Sequence, residues 1–251
     1  MPTSLLDLYM QVAGVSEIPE QYHRWCCLTA IAACVRDNVW LERYRGERLL
    51  PNLYTWLVGP PAIAKGLALS QMCRMLEPAS RAINLYRGKL TAAFLTTLLG
   101  QTPTKDCPFP AERFLVMEEL SHGIGDRLQA DNMVKMLTDL YSGSDRKLEK
   151  GTITGGSITV HNPCLNWAAG TTPDWIGDSI SKVAISGGFF TRIACITASY
   201  DLGKRVYEPK YPDNYEEAVE EVKTRLLELT QVKGLFTRTR AAYALERRWY
   251  E

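Results

Sequence analysis

Leu57-Val58-Gly59-Pro60-Pro61-Ala62-Ile63-Ala64-Lys65-Gly66 is the stretch whose reading decides the fold. An apolar run (Leu53, Tyr54, Trp56, Leu57, Val58) stops at a turn-forming Gly-Pro-Pro, and a lysine opens the helix-prone segment Gly66 to Leu76. Strand, bend and helix in that order make an anion cradle. Successive backbone N–H groups curl into a concavity, the helix start adds partial positive charge, and a lysine reaches the outer phosphates. The usual pattern is G-x-x-x-x-G-K-[ST]; here Ala64 holds the second glycine position and Gly66 the hydroxyl position. If residue 64 must take a positive φ, alanine costs about 1–2 kcal/mol there. A Gly-Pro-Pro turn before an ordinary surface helix is the competing reading, so the rest of the chain has to decide.

Working outward, Pro51-Asn52 leads into the strand that feeds this loop, after a short strand Val39-Trp40-Leu41 and a polar turn from Arg43 to Leu50. Further back, Leu5 to Gly14 and Glu20 to about Arg36 read as helices, the second apolar on most faces and so expected to be buried. Downstream, Ala82 to Tyr86 reads as a strand and Thr91 caps a helix to Leu99. Phe114-Leu115-Val116-Met117 is apolar without alternation, as a central parallel strand covered on both faces requires, and it ends in Glu118-Glu119. A helix over Asp131–Tyr141, a β-hairpin over Leu148–Val160, a strand over Leu165–Gly170, a short helix from Pro173 and a strand from Ile193 follow. Two charged helices, Tyr215 to Val232 and Arg238 to Tyr250, close the chain. Strand–helix alternation through the middle predicts an α/β fold with a mostly parallel sheet. The expected division is a helical segment over 1–50 packing on the core, a nucleotide-binding core over 51–205, and C-terminal helices over 206–251.

Composition narrows the function. A net charge of +1 gives no overall basic field, so any nucleic-acid contact must be a local patch. Seven scattered cysteines with only three histidines fit buried thiols in a reducing cytoplasm better than zinc or a disulfide framework. No secretory leader is visible, and the apolar stretch Trp25–Val35 is too short to span a bilayer.

Ligands of parallel sheets gather at the carboxyl ends of strands. There, Glu118 is the candidate to hold Mg²⁺ against the β- and γ-phosphates, and Glu119 the candidate to orient attacking water. The phosphate contacts fall to Gly59, Pro60, Pro61, Ala62, Ile63, Ala64, Lys65, Gly66 and Leu67. Thr171 ends the strand that opens at Asn166, placed to touch the γ-phosphate or the water, with Thr172 as the near alternative. Arg192, after Gly188-Phe189-Phe190-Thr191, is the candidate arginine finger, reaching the site of a neighbouring subunit. For DNA the hairpin offers Arg146, Lys147 and Lys150, and the last helix gathers Arg238, Arg240, Arg247 and Arg248.

The order of these pieces, together with Pro51-Asn52-Leu53-Tyr54, Asp145-Arg146, Pro173, Gly188-Phe189-Phe190-Thr191-Arg192-Ile193 and the opening Ile18-Pro19-Glu20-Gln21-Tyr22-His23-Arg24-Trp25, resembles the primase-helicase-type ATPases of bacteriophages and mobile elements. The resemblance implies a RecA/AAA+-like P-loop core that binds ATP and Mg²⁺ and assembles as a homo-oligomer, as a ring. It implies action on DNA, single-stranded by preference, beside other replication proteins in the cytoplasm of a bacterial host. Two other classes stay open. Gly-Pro-Pro before Lys65-Gly66 also resembles adenylate kinases, although no arginine-rich lid separates the loop from Glu118. The departures at Ala64 and Gly66 equally suit a degenerate nucleotide-binding assembly protein.

Overall fold

The computed structural model describes residues 3–42, 46–124, 127–141, 147–152, 156–181, 188–199 and 206–251. Two helices open the chain, α1 (Leu5–Ala13) and α2 (Glu20–Val35), followed by the short strands β1 (Val39–Glu42) and β2 (Arg48–Leu49). The central run is β3 (Tyr54–Val58), α3 (Lys65–Met75), β4 (Leu85–Arg87), α4 (Ala92–Leu99), β5 (Glu112–Met117), α5 (Leu120–Ile124) and α6 (Arg127–Tyr141). A hairpin of β6 (Lys147–Thr152) and β7 (Gly156–His161) leads to β8 (Cys164–Thr171), α7 (Pro173–Ser179) and β9 (Ile193–Thr197). The chain finishes with α8 (Tyr215–Leu229), β10 (Gly234–Leu235) and α9 (Arg240–Tyr250).

Five strands form one all-parallel sheet in the order β4-β5-β8-β3-β9, which makes this an α/β protein of Rossmann- or P-loop-like architecture. The chain leaves β3 for the far edge at β4, returns through β5, inserts β8 beside β3, and adds β9 on the other side. β3 therefore sits inside the sheet with later strands on both flanks, a switch point where such sheets bind ligands.

Side-chain alternation explains why no strand of the core reads as amphipathic. Leu57, Phe114, Val116 and Ala168 point to one face, where α1, α2, α3 and α8 bury Tyr9, Tyr22, Cys26, Leu69, Met72 and Leu226. Trp56, Val58, Leu115, Met117 and Trp167 point to the other, against α4 and α6. α2 thus packs on the sheet, with α1 and α8 packed against it. Trp56 stacks edge-on against Trp167, Phe189 and Phe190, with ring centroids 5.3–5.8 Å apart.

Several expectations need adjustment. The strand expected from Ala82 starts only at Leu85, because Asn84 turns into the left-handed region at φ 47°. The Asn84 side-chain amide donates to the carbonyls of Phe109 and Glu112, and that turn keys β4 to the start of β5. The turn assigned to Arg43–Leu50 contains β2, antiparallel to β1, and the C-terminal region holds β10, parallel to β1. Neither two-residue strand is long enough to show a period. All seven cysteines are free thiols and five are buried, as the composition indicated. No group of metal-ligating side chains occurs among the described residues, and none of the described helices is long and apolar enough to cross a membrane.

At the amino edge of β5, Glu112 is buried and pairs with Arg36 at 3.0 Å. Burial, then the nearby Asp37 carboxylate, push its acid up from 4.5 to about 7 against the pull of Arg36. The folded chain therefore keeps a proton that the unfolded chain has lost. Stability from this group is full below pH 4.5 and is lost as pH rises to about 7. Urea titrations across that interval will show a falling stability, and Glu112→Gln will flatten the slope.

Candidate functional site

Everything that the sequence places at the phosphate loop depends on how β3 ends. Val58 lies opposite Thr171 of β8 and Thr197 of β9, and the Gly59 N–H donates to the Thr171 carbonyl at 3.2 Å. Gly59 has no room for a side chain: a Cβ there meets the Tyr22 hydroxyl at 2.6 Å, Ile63 at 3.0 Å and the Ala198 carbonyl at 3.2 Å. Tyr22, wholly buried on α2, donates its hydroxyl to the Val58 carbonyl at 2.8 Å, and burial makes the phenol a weaker acid, its pKa pushed up to about 12. In the sequence Tyr22 stands out only as part of the Ile18–Trp25 stretch that resembles the ATPase family's opening. It braces the last residue before the bend.

Through the bend, Ala62 and Ala64 both take left-handed backbone, with φ of 64° and 62°. The helix start at Lys65 follows directly. The geometry that normally calls for glycine is therefore present at residue 64 although the residue is alanine. Its replacement relieves about 1–2 kcal/mol of strain, offset by the greater freedom that glycine gives the unfolded chain, about 0.4–1 kcal/mol. Ala64→Gly is expected to raise unfolding stability by about 0.5–1 kcal/mol, read as a higher urea midpoint with unchanged slope.

Lys65 is 6% exposed. Its Nζ donates to the carbonyls of Gly59 at 2.8 Å and Pro60 at 2.7 Å, so the lysine folds back under its own loop. Burial lowers its basicity, while the Glu119 carboxylate acts in the opposite sense.

The acids stand where this lysine needs them. β5 ends at Met117, opposite Ala169 of β8, so Glu118 follows level with Gly170. A Cβ on Gly170 meets the Glu118 carbonyl at 2.4 Å and the Lys65 Cβ at 3.4 Å, so only glycine lets these three segments converge. A Cβ on Gly66 lies 3.8 Å from Glu118 Oε2, which sets that carboxylate against the residue after the lysine. Glu118 is exposed and carries an ion pair with Arg87, the last residue of β4. Glu119 is half-buried; the Ser121 hydroxyl donates to it at 3.5 Å, and its own carbonyl accepts from the Gly123 N–H. A cleft of about 370 Å³ opens here, lined by Arg87, Lys89, Glu118, Glu119 and Gly123 among others. Arg87 and Lys89 went unremarked in the sequence. The carboxyl-end rule that selected Glu118 selects them as well, once β4 is seen to end at Arg87.

Thr171 is wholly buried at the end of β8 beside the loop. Thr172 caps α7, accepting the Trp175 N–H at 3.3 Å, and the Thr171 hydroxyl donates to the Thr172 carbonyl at 3.4 Å. Asn166 lies at the other end of the strand, where its side chain accepts the Leu53 N–H, and has no part in the site. Leu67 is half-exposed on the first turn of α3.

Two groups of candidates lie elsewhere. Arg192 immediately precedes β9 and is level with the start of β3, since Ile193 pairs with Tyr54. A strand of five residues, roughly 16 Å, separates it from the loop of its own chain. Its Nη1 donates to the Gly188 carbonyl at 2.6 Å and its guanidinium lies over the Tyr141 ring at 5.9 Å. The β6–β7 hairpin joins the same amino edge, feeding β8 at Cys164. Lys147 is exposed there but pairs with Glu149, Lys150 lies in register with Ile158, and Arg146 falls outside the described residues.

A scan of the chain against known protein families returns no match, and a search of curated proteins returns no relative.

Proposed function

We propose that the chain is an ATP-binding and ATP-hydrolysing protein with a RecA/AAA+-like P-loop core, working as an oligomeric, DNA-directed motor of helicase or helicase-loader type in phage or mobile-element replication. One observation carries the reading: Lys65, at the end of a left-handed bend, shares one sheet edge with Glu118 and Glu119 across Gly170. A surface turn has no need of two glycine-tight approaches, at Gly59 and Gly170, beside a buried lysine.

The roles follow from position. Backbone N–H groups from Ala62 to Leu67 and the start of α3 receive the phosphates, and Lys65 transfers its hydrogen bonds from two carbonyls to phosphate oxygens. Glu118, freed from Arg87, suits Mg²⁺, an oxygen-seeking ion that neutralises charge between the β- and γ-phosphates when bound. Gly66 supplies no hydroxyl, so Glu118 would be the side chain to hold the ion. Glu119 orients the attacking water and takes its proton, and Thr171 holds the water or the γ-phosphate from the side. Arg192, a strand length away in its own chain, serves the site of a second copy. The hairpin residues Arg146, Lys147 and Lys150 face DNA in this scheme, and the sequence resemblance supplies that part of the reading.

ATP binding with Mg²⁺, followed by hydrolysis with and without single-stranded DNA, tests the proposal. Stoichiometric binding and DNA-stimulated turnover are expected. A chain that binds no ATP at millimolar concentration ends it, and binding without turnover reduces the protein to a nucleotide-dependent assembly factor.

A further inference from the structure

The C-terminal helix α9 has no buried residue along its 11 positions, although Thr239 caps it properly. Isolated helices of this length are marginal in water, so a partner surface has to supply what propensity does not. Two adjacent stripes run along it at helical spacing, Ala241-Leu245-Trp249 and Arg240-Ala244-Arg248. Leu245 is 61% and Trp249 84% exposed. Arg238 and Arg247 are neutralised by Glu246 and Glu251, whereas no described carboxylate lies within ion-pair distance of Arg240 or Arg248. An apolar ridge with a large aromatic and arginines beside it has the composition of a protein interface.

The same molecule carries the complementary surface. α8 buries Ala218, Val219, Val222 and Leu226, and turns Glu217, Glu220, Glu221 and Glu228 outward beside the 41%-exposed Leu227. Glu220 pairs with Lys223 and Glu221 with Arg225 on the same helix, and the five glutamates Glu216, Glu217, Glu220, Glu221 and Glu228 keep the face net acidic. Glu220 and Glu228 are eight residues apart, as are Arg240 and Arg248, giving both pairs a spacing of about 12 Å along a helix. Between the two helices, β10 pairs with β1 and the Phe236 N–H donates to the Trp40 carbonyl at 2.7 Å.

We infer that α9 is a docking arm that lies on the acidic outer face of α8 in a second copy of this chain. The contact is head-to-tail, with Leu245 and Trp249 over Leu227 and Arg240 and Arg248 facing glutamates, so each copy offers an arm and a receptor. It gives the assembly of the proposed motor a specific surface, and it stands or falls separately from nucleotide binding.

Sedimentation velocity of the full chain without nucleotide tests it. The wild-type chain associates at low salt, and Trp249→Ala weakens association by roughly thirtyfold, the size of a buried aromatic anchor. The double variants Arg240→Glu/Arg248→Glu and Glu220→Arg/Glu228→Arg each sediment as monomers. Mixed together they reassemble, because every arm then meets a receptor of opposite charge only on the other variant. A monomeric wild type, reversals that associate as the wild type does, or a mixture that stays monomeric overturns the docking. So does a wild-type monomer whose single-stranded DNA binding is lost on Trp249→Ala, which assigns the arm to nucleic acid. ATP titration of the monomeric variants keeps the two readings apart: normal binding leaves the nucleotide site standing if docking fails, and charge-swapped reassembly stands even if no ATP binds.

Discussion

Glu119→Gln is expected to leave ATP affinity within about twofold of the wild type and to slow hydrolysis by roughly 10²–10⁴-fold, the usual range for a lost general base. The substitution keeps size and hydrogen-bonding shape while removing the negative charge. Glu119 is half-buried beside the cleft, and its main chain is fixed by the Gly123 N–H, so the glutamine stays in place. What disappears is the group able to take a proton from water. Glu118 does not substitute in this scheme, because its carboxylate sits against Gly66 and is the group that would hold the metal. Single-turnover hydrolysis measured beside equilibrium binding separates the two effects. Hydrolysis at the wild-type rate would remove Glu119 from the mechanism.

Lys65→Ala gives the second large effect, on binding. The ammonium stands at the head of the loop helix, and charge-assisted bonds to phosphate in a desolvated site are among the strongest a protein makes. Losing it should weaken ATP by about 10²–10³-fold, beyond reach of an ordinary calorimetric titration. Stability should change little by comparison, since burial already disfavours the charged form of this lysine. A folded Lys65→Ala chain that binds ATP as the wild type does would show that the bend grips something else.

Much of the architecture was legible because burial on both faces leaves a plain mark. Tyr54–Val58, Phe114–Met117 and Leu165–Gly170 read as mostly apolar runs, broken only by Thr55 and Asn166, and each lies in a core strand. The caps at Thr91 and Pro19 were equally readable, since a side-chain acceptor or a fixed φ acts locally. The site was legible by one rule, that chemistry gathers where parallel strands end, and this rule brought Lys65, Glu118, Glu119 and Thr171 to one edge. It gave no means of seeing Tyr22 or Gly170, whose parts depend on approaches between segments far apart in the chain. Arg87 was missed for a different reason. With β4 read as ending at Tyr86, its last residue was not counted among strand-end groups. β2 and β10 are two-residue pairings that propensity cannot announce.

The carbonyls of Gly59 and Pro60 that hold the Lys65 ammonium have a consequence for selectivity. An incoming anion must first draw the amine away from oxygens that already satisfy it. Sulfate or orthophosphate offers too few contacts in return, whereas a polyphosphate meets the amide row and a carboxylate-bound cation in the same event. Under the proposed function, discrimination by the length of the phosphate chain would follow from the resting position of this one side chain.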